Sequence, residues 1–143
     1  MAGVAAKRAR ELVIALGEAW NAHDPERVVG FYAADYEGLD VGERSPQHGR
    51  EGVLRSFARY WQAFPDVRIR LDEMVVQDNR IALVWTASGT HGGSLMSIPS
   101  TGRRVGVRGT SLLRLAETQI QHALHVWDVA GLLRAMRLLP DLR

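Results

Sequence analysis

The sequence predicts an α+β fold, a cone-shaped α+β barrel in which a strongly bent antiparallel or mixed sheet wraps around N-terminal helices. Two observations predict this class. Apolar residues recur at three- and four-residue steps in the first 64 residues, which is typical of helices, and alternation of apolar and polar residues then dominates from residue 67 to residue 128. Because the 143 residues contain no internal repeat or linker, we expect one domain spanning residues 1–143.

Three helices are predicted in the first part of the chain. The first covers residues 4–22. Asp24 can cap the second, and Pro25 suits its first turn, so we expect that helix over residues 25–34. A short strand is expected at Tyr36–Val41, and a glycine-containing loop follows it. The third helix presents an apolar stripe formed by Val53, Leu54, Phe57, Trp61 and Phe64.

Strands are predicted for the rest of the chain, with a short apolar helix at its end. The alternation that begins at Val67 slips near Glu73, which predicts a bulge or a bend. Asp78 and Asn79 form a tight-turn signal, and thus predict a hairpin. Ser111 is a polar residue on the apolar face of its strand. The later strands are expected at Ile81–Thr90, Arg104–Leu115 and Ile120–Asp128.

Composition excludes several classes of function. The chain has no cysteine, so disulfides, thiolate nucleophiles and cysteine-ligated metals are excluded. The 18 basic and 16 acidic residues nearly balance, and no basic stripe interleaved with aromatic residues accompanies them, so we expect no nucleic-acid partner. Neither a membrane-spanning apolar run nor a signal-peptide pattern is present in the sequence. We therefore expect a cytoplasmic protein with no membrane partner.

The last predicted strand, Ile120–Asp128, concentrates residues with acid–base chemistry. Alternation places His125 and Trp127 on one face and His122 on the other, but both faces have apolar neighbours, so the pattern does not decide which face is buried. The strand either lines a pocket or carries two ordinary surface histidines. Since the histidines and carboxylates show no metal-ligand spacing, we expect no metal site.

Short motifs along the chain add to this picture. The most specific are Gly89-Thr90-His91-Gly92-Gly93 and Pro99-Ser100-Thr101-Gly102-Arg103, which one loop separates. The other motifs are Trp20-Asn21 with His23-Asp24, Phe31-Tyr32, Asp35-Tyr36, Gly49, Gly52-Val53, Phe64-Pro65-Asp66, Asp78–Ala82, and Asp128 with Gly131–Leu133. In this order, and over most of the chain, they resemble the SnoaL-like polyketide cyclase family of the ketosteroid-isomerase-like, cystatin-like α+β barrel superfamily.

The resemblance implies a deep hydrophobic pocket inside the cone, no metal and no organic cofactor. It also implies a reaction driven by one or two acid–base side chains. In the aromatic cyclases of this family, a base removes an acidic C–H next to a carbonyl, and the enolate closes a ring by an intramolecular aldol condensation. The protein mainly holds a flexible substrate in the closing geometry.

The resemblance also implies positions for the catalytic groups. The aldol cyclases have an acid–base aspartate on the final strand, and alignment over Ile120–Gly131 puts His125 at that position. The chain departs from the family there, and it has Ala123 where the family often has a histidine. A histidine has an ordinary pKa near 6.5 and can act as acid or base at neutral pH. On this alignment His125 and Trp127 face the pocket, and Ser111 faces it from the neighbouring strand.

Each candidate site residue has a structural alternative. His125 is predicted to be the catalytic acid–base group, and otherwise it is a packed ring that bonds a neighbour. Asp128 is predicted to assist in catalysis, and otherwise it caps the last helix. For His91 and Ser111 the alternative is satisfying backbone groups, and for the aromatic residues it is core packing. The predicted substrate-binding residues are Ser111, His91, Trp85, Tyr36, Asp40, Trp127, Trp61 and Phe64.

The sequence therefore predicts a cofactor-independent cyclase or isomerase that closes a ring in a polyketide-derived intermediate. The alternatives are a hydroxylase or an epoxide-opening cyclase on the same fold, because relatives with altered catalytic positions carry out such reactions, and a non-catalytic ligand-binding module. A homodimer is also expected from the resemblance, since the outer face of the sheet needs cover.

Overall fold

Residues 2–141, which the computed structural model describes, form four helices and six strands. The helices are α1 (Ala2–Asn21), α2 (Pro25–Val29), α3 (Gly49–Ala63) and α4 (Val129–Ala135). The strands are β1 (Tyr32–Asp40), β2 (Gln47–His48), β3 (Arg68–Gln77), β4 (Arg80–Thr90), β5 (Arg104–Ala116) and β6 (Gln119–Trp127). The predicted α+β class is confirmed.

The six strands form one curved, mixed sheet in the order β2-β1-β6-β5-β4-β3. Neighbouring strands are antiparallel except for β1 and β6, which run parallel to each other. This pairing joins a strand from the first third of the chain to the last strand. It places the C-terminal halves of both strands side by side.

The main core lies between the inner face of the sheet and the helices α1 and α3. The apolar stripe of α1 buries Ala9 and Val13, and α3 buries Val53. They pack with inward residues of the sheet such as Ile81 and Leu113. Burial of large apolar side chains stabilises a fold by roughly 1.5–3 kcal/mol each. The helical periodicity of the sequence thus identified most of the core faces, although Leu54, predicted in the apolar stripe of α3, is exposed.

Helix α2 is shorter than the sequence predicts. Asp24 caps it, accepting a hydrogen bond from the Arg27 backbone N–H at 3.2 Å, and Pro25 occupies its first turn as expected. The helix ends at Val29, however, and residues 32–40 form a strand. Pairing of β1 with β6 overrides the local helical pattern here.

The strand region follows the predicted pattern with one addition. The register of β3 against β4 shifts between Leu71 and Glu73, which confirms the bulge, and Asp78 adopts a φ of 53° in the predicted hairpin turn. The two-residue strand β2 was not predicted, because a glycine-rich loop was expected there. It forms since Gln47 and its neighbour pair with β1.

The inner face of β6 carries Ala123, His125 and Trp127, as the alignment of the last strand implied. Ala123 is buried, while Val126 on the opposite face is 42% exposed. On β5, buried Ser111 lies directly opposite His125. The two residues that the sequence placed on adjacent strands therefore meet on the same inner face.

Within residues 2–141, no helix has both the length and the apolar character needed to cross a membrane.

Gly109 on β5 provides a test of this packing. It lies between Trp85 on β4 and Trp127 on β6, and a Cβ atom there would overlap the Trp85 ring and lie 2.8 Å from Trp127 Cβ. We expect Gly109→Ala to lower the free energy of unfolding by about 1–3 kcal/mol, because overpacking displaces a tryptophan. Denaturant titration measures this change.

Gly106 on the same strand is the matched control for that substitution. The atom nearest to a Cβ at Gly106 is a backbone oxygen at 3.9 Å, so Gly106→Ala should change stability by no more than about 0.5 kcal/mol. Equal destabilisation by the two substitutions would contradict the packing described here.

Candidate active site

A cavity of about 170 Å³ lies between the inner face of the sheet and the helices α1, α3 and α4, and it is partly open to solvent. Its wall is mainly apolar, with contributions from Leu16, Trp20, Phe64, Leu83, Trp85 and Leu132. The polar side chains that reach it include Asp40, Gln47, Ser56, Tyr60, Ser111 and His125. An apolar cavity with a few polar groups is typical of small-molecule sites.

A chain of hydrogen bonds crosses three strands at one wall of the cavity. The Trp85 indole Nε1–H donates to Ser111 Oγ at 2.9 Å. Ser111 Oγ lies 2.7 Å from Nδ1 of His125, its cross-strand neighbour. Because Ser111 is only 3% exposed, water does not compete strongly for these bonds. The arrangement holds the His125 ring by one nitrogen.

His125 is surrounded by protein although part of its side chain remains accessible from the cavity. Burial lowers the pKa of His125 below its ordinary value, and the negative charges of Asp40 and Glu43 oppose this effect without cancelling it. The imidazole is therefore neutral at neutral pH. A neutral imidazole can donate one hydrogen bond and accept another.

Asp40 is a second ionisable side chain at the cavity wall. It ends β1 in parallel register with His125 on β6. Its Oδ1 accepts hydrogen bonds from the Gly42 backbone N–H at 2.7 Å and from Trp127 Nε1 at 2.8 Å, and its Oδ2 accepts one from the Tyr60 hydroxyl at 3.0 Å. These three donors fix the orientation of the carboxylate.

Tyr60 remains protonated in this arrangement. Burial, followed by the negative charge of Asp40, raises the pKa of Tyr60 far above its usual range. Tyr60 therefore acts as a permanent donor to Asp40. Its ring also packs edge-on against Trp127, with 6.3 Å between centroids, so the three residues form one rigid group.

A second polar network lies beside this group. The Ser56 hydroxyl donates to Glu43 Oε1 at 2.6 Å, and the Gln47 amide donates to Ser56 Oγ at 2.8 Å. The Tyr36 hydroxyl donates to Gln47 Oε1 at 2.9 Å, and Arg59 Nη1 lies 3.8 Å from Glu43 Oε1. Gln47 and Ser56 belong to the cavity wall, so the network connects the cavity to a charged cluster behind it.

Six of the predicted site residues line the cavity: His125, Ser111, Asp40, Trp85, Trp127 and Phe64. Four others do not belong to its lining. Asp128 caps α4, where its Oδ1 accepts from the Gly131 backbone N–H at 2.8 Å. Tyr36 lies in the buried network behind the wall, and Trp61 packs in the core against Trp20 and Phe57.

His91, the fourth of these, organises the loop between β4 and β5. The ring is fully buried, and Nδ1 accepts a hydrogen bond from the Thr101 backbone N–H at 3.2 Å. The backbone of His91 bonds to Arg103 O and receives Gly102 N–H, both at 2.9 Å. Its Nε2 has no partner within residues 2–141. These contacts match the alternative that the sequence left open for His91, in which it satisfies backbone groups.

The sequence missed Tyr60, Gln47, Ser56 and Glu43. One signal could have identified two of them, since Ser56 and Tyr60 are four residues apart and therefore share a helix face. Ser56 lies on the buried side of α3 with Val53. A polar residue on a buried stripe is a candidate for lining a cavity. Glu43 lies in the loop between β1 and β2 and Gln47 on the two-residue strand β2, and neither segment is long enough for periodicity to indicate a direction.

No group of three or more His, Asp or Glu side chains in the described part of the chain is arranged to hold a metal ion. The pair formed by Asp40 and His125 supplies an acceptor and a titratable imidazole beside an apolar space. That arrangement is suited to moving a proton to or from a bound organic molecule.

Fold and site together define a ketosteroid-isomerase-like α+β protein in which Asp40 and His125 lie in register at the wall of an apolar cavity. The model of the SnoaL-like polyketide cyclase family matches residues 10–136, and the chain belongs to this family. A comparison with curated proteins finds no match.

Solved structures show the same fold. AclR from Streptomyces galilaeus, a proposed hydroxylase, is 23% identical, with a TM-score of 0.84 over 97% of this chain and 90% of that one. IdmH from Streptomyces antibioticus, a proposed polyketide cyclase, is 24% identical, with a TM-score of 0.78 over 90% and 97%. A protein with a ketosteroid-isomerase-like fold from Catenulispora acidiphila is 20% identical, with a TM-score of 0.78 over 93% and 97%. At these identities the likeness shows the fold alone.

The lowered pKa of His125 predicts a specific pH dependence of stability. The unfolded chain binds a proton at this residue near the ordinary value of 6.5, whereas the folded protein binds it only at lower pH. Between those two values the unfolded state holds more protons, so stability falls as pH is lowered through this window. His125→Gln should remove the contribution of His125 to the pH dependence of stability.

Denaturant titrations between about pH 5 and pH 7.5 measure the effect, because the slope of unfolding free energy against pH reports the difference in bound protons. The other histidines contribute equally to both proteins. We expect the difference in stability between wild type and His125→Gln to depend on pH below the ordinary histidine pKa. Parallel curves for the two proteins would show that folding does not perturb His125.

Proposed function

We propose that this chain is a cofactor-independent cyclase that closes a ring in a polyketide-derived intermediate by acid–base catalysis. Membership of the SnoaL-like polyketide cyclase family supports the class of reaction. The observation that carries the proposal is the side-by-side placement of Asp40 and His125 at the wall of an apolar cavity. Phe64 and Trp85 would hold the carbon skeleton of the substrate there.

The reaction that this arrangement favours is an intramolecular aldol condensation. One of the two groups removes an acidic C–H proton next to a carbonyl, and the resulting enolate attacks a second carbonyl of the same molecule. A positioned acid–base group contributes typically about 10²–10⁴-fold in rate. The apolar wall orients the folded substrate and excludes water, and orientation can lower a barrier by several kcal/mol, about 7–11 at the extreme.

The proposal is tested by the mass of the compound that accumulates when the gene is deleted in its host. We expect an intermediate with the mass of the missing product, or heavier by one water, since ring closure rearranges atoms with or without dehydration. The wild-type gene should restore the product. His125→Ala at equal protein level should not, while binding of the accumulated compound to the purified variant is retained.

Two other outcomes of the deletion experiment would indicate a different function. An accumulated compound lighter than the product by one oxygen would indicate a hydroxylase, the activity proposed for AclR. An unchanged set of metabolites would indicate a ligand-binding module. Full restoration of the product by His125→Ala would remove His125 from the mechanism.

The partner of the outer sheet face is proposed to be a second copy of the chain. Five apolar residues form a continuous row across five neighbouring strands, because each is the register partner of the next. The row consists of Leu39, Leu124, Leu112, Ala82 and Val75. Leu39, Leu112 and Val75 are each more than half exposed. An apolar row is complementary to itself in a two-fold dimer, and exposed rows of this kind mark interaction surfaces.

Leu112→Asp should therefore give a monomer, because the charge would have to be buried at the centre of the row. Light scattering of the wild type should give twice the chain mass of 15.9 kDa. Ile14→Asp is the matched control, since Ile14 is similarly exposed but lies on α1, away from the row. A monomeric wild type would refute the dimer, and dissociation by Ile14→Asp alone would locate the interface elsewhere.

A further inference from the structure

The hydroxyl of Ser111 has two hydrogen-bond partners within residues 2–141, and their chemistry restricts its orientation. The Trp85 Nε1–H can only donate, so at 2.9 Å from Ser111 Oγ it makes the serine an acceptor. The serine proton is then available for His125 Nδ1 at 2.7 Å. Ser111 is buried, and His125 Nδ1 is the one acceptor found for its hydroxyl proton within residues 2–141, so a proton pointing elsewhere would lose that bond.

The two neutral forms of His125 differ in how well they fit this arrangement. With the ring proton on Nε2, Nδ1 accepts from Ser111 and each group in the chain from Trp85 to His125 is paired. With the proton on Nδ1, both neighbours of Ser111 donate to it and its own hydroxyl proton is unpaired. The charged imidazolium produces the same mismatch, because its Nδ1 also carries a proton.

We propose that Ser111 is a positioning residue that fixes neutral His125 with its proton on Nε2, so that His125 donates a hydrogen bond to a substrate carbonyl oxygen and Asp40 is the base. This proposal rests on the proposed function and assigns the two acid–base roles within it. Burial of His125, which disfavours its charged form, acts in the same direction. The one hydrogen bond of the His125 ring within residues 2–141 is made by Nδ1, and His125 lines the cavity, which leaves Nε2 for a ligand.

The geometry of Asp40 fits the role of base. Oδ1 accepts from two donors, Gly42 N–H and Trp127 Nε1–H, whereas the one donor to Oδ2 within residues 2–141 is the Tyr60 hydroxyl. A carboxylate oxygen has two acceptor sites, so Oδ2 retains one for a proton from the substrate. Asp40 and His125 lie in register on adjacent strands, which allows both to contact neighbouring atoms of one substrate.

The proposed steps conserve atoms and electrons. The C–H bond next to a carbonyl breaks, and its proton goes to Asp40 Oδ2. The electron pair moves to the carbonyl oxygen, which accepts a hydrogen bond from His125 Nε2–H. The enolate carbon then bonds to the second carbonyl carbon. The new alkoxide takes the proton back from Asp40, so the ring-closed product is an isomer of the substrate and both side chains are restored.

Nitrogen NMR of the histidine-labelled protein tests the positioning role without any substrate. Two-bond proton–nitrogen correlations distinguish the two neutral tautomers and the charged form, and His125→Gln assigns the signals of His125. We expect the Nε2–H form in the wild type at neutral pH. Ser111→Ala should increase the Nδ1–H form of His125. Trp85→Phe, a second variant, should weaken the preference for the Nε2–H form, because the Ser111 hydroxyl would no longer accept the indole N–H.

Thr110→Val is the matched control for these variants. Thr110 lies on the opposite face of β5, and its hydroxyl donates to the Leu83 carbonyl at 2.7 Å. We expect this variant to leave the His125 signals unchanged. An Nδ1–H or charged His125 in the wild type would overturn the proposal. A tautomer ratio that stays unchanged in both Ser111→Ala and Trp85→Phe would do the same.

Product formation in the deletion strain then tests the division of roles. At equal protein levels, Asp40→Asn should reduce the product at least about 100-fold, as removal of a general base does. His125→Gln should retain more product than His125→Ala, because the glutamine amide can donate from near the Nε2 position. Normal product from Asp40→Asn, with none from either His125 variant, would make His125 the base. If the deletion changes no metabolite, the proposed function fails while the NMR result still decides the tautomer.

Discussion

The parallel pairing of β1 with β6 is the constraint on which the site depends. Side chains at register positions of neighbouring parallel strands lie on the same face, so this pairing puts Asp40 beside His125. It also brings Trp127 within 2.8 Å of the Asp40 carboxylate. A slip by one residue would turn one of the two strands over and separate these groups. The chemistry of the pocket therefore follows from one strand contact between distant parts of the sequence.

Holding polar groups at an apolar wall costs free energy unless each one is paired. In the structure, Asp40 and Ser111 are paired with donors that keep their protons near neutral pH. These donors are two indole N–H groups, a backbone N–H and the Tyr60 hydroxyl. Because these donors do not switch roles, Asp40 and Ser111 have fixed orientations before a ligand arrives. Groups oriented in advance need no reorganisation during reaction, which is where much of the benefit of an enzyme site originates.

Much of the fold and part of the site could be predicted from the sequence. Strand alternation placed Ser111 on a buried face, and the family resemblance selected the face of His125. Both assignments depend on local pattern. The contact of Asp40 with Tyr60 and Trp127 joins three separate elements, and no local pattern reports it. Gln47 lies on a two-residue strand that exists only through pairing with β1, so its position follows from tertiary structure.

The apolar residues that shape one side of the cavity and the polar residues at its wall lie on different elements. Asp40, His125 and the side-chain donors that hold them lie on β1, β6, β4, β5 and α3, whereas Leu16 and Trp20 on α1 and Leu132 on α4 contribute mainly apolar surface. Substitutions on those two helices would remodel the volume available to a ligand without altering any hydrogen bond of the polar group. The architecture thus allows the shape of the cavity to change through α1 and α4 while the polar group on the sheet and α3 stays the same.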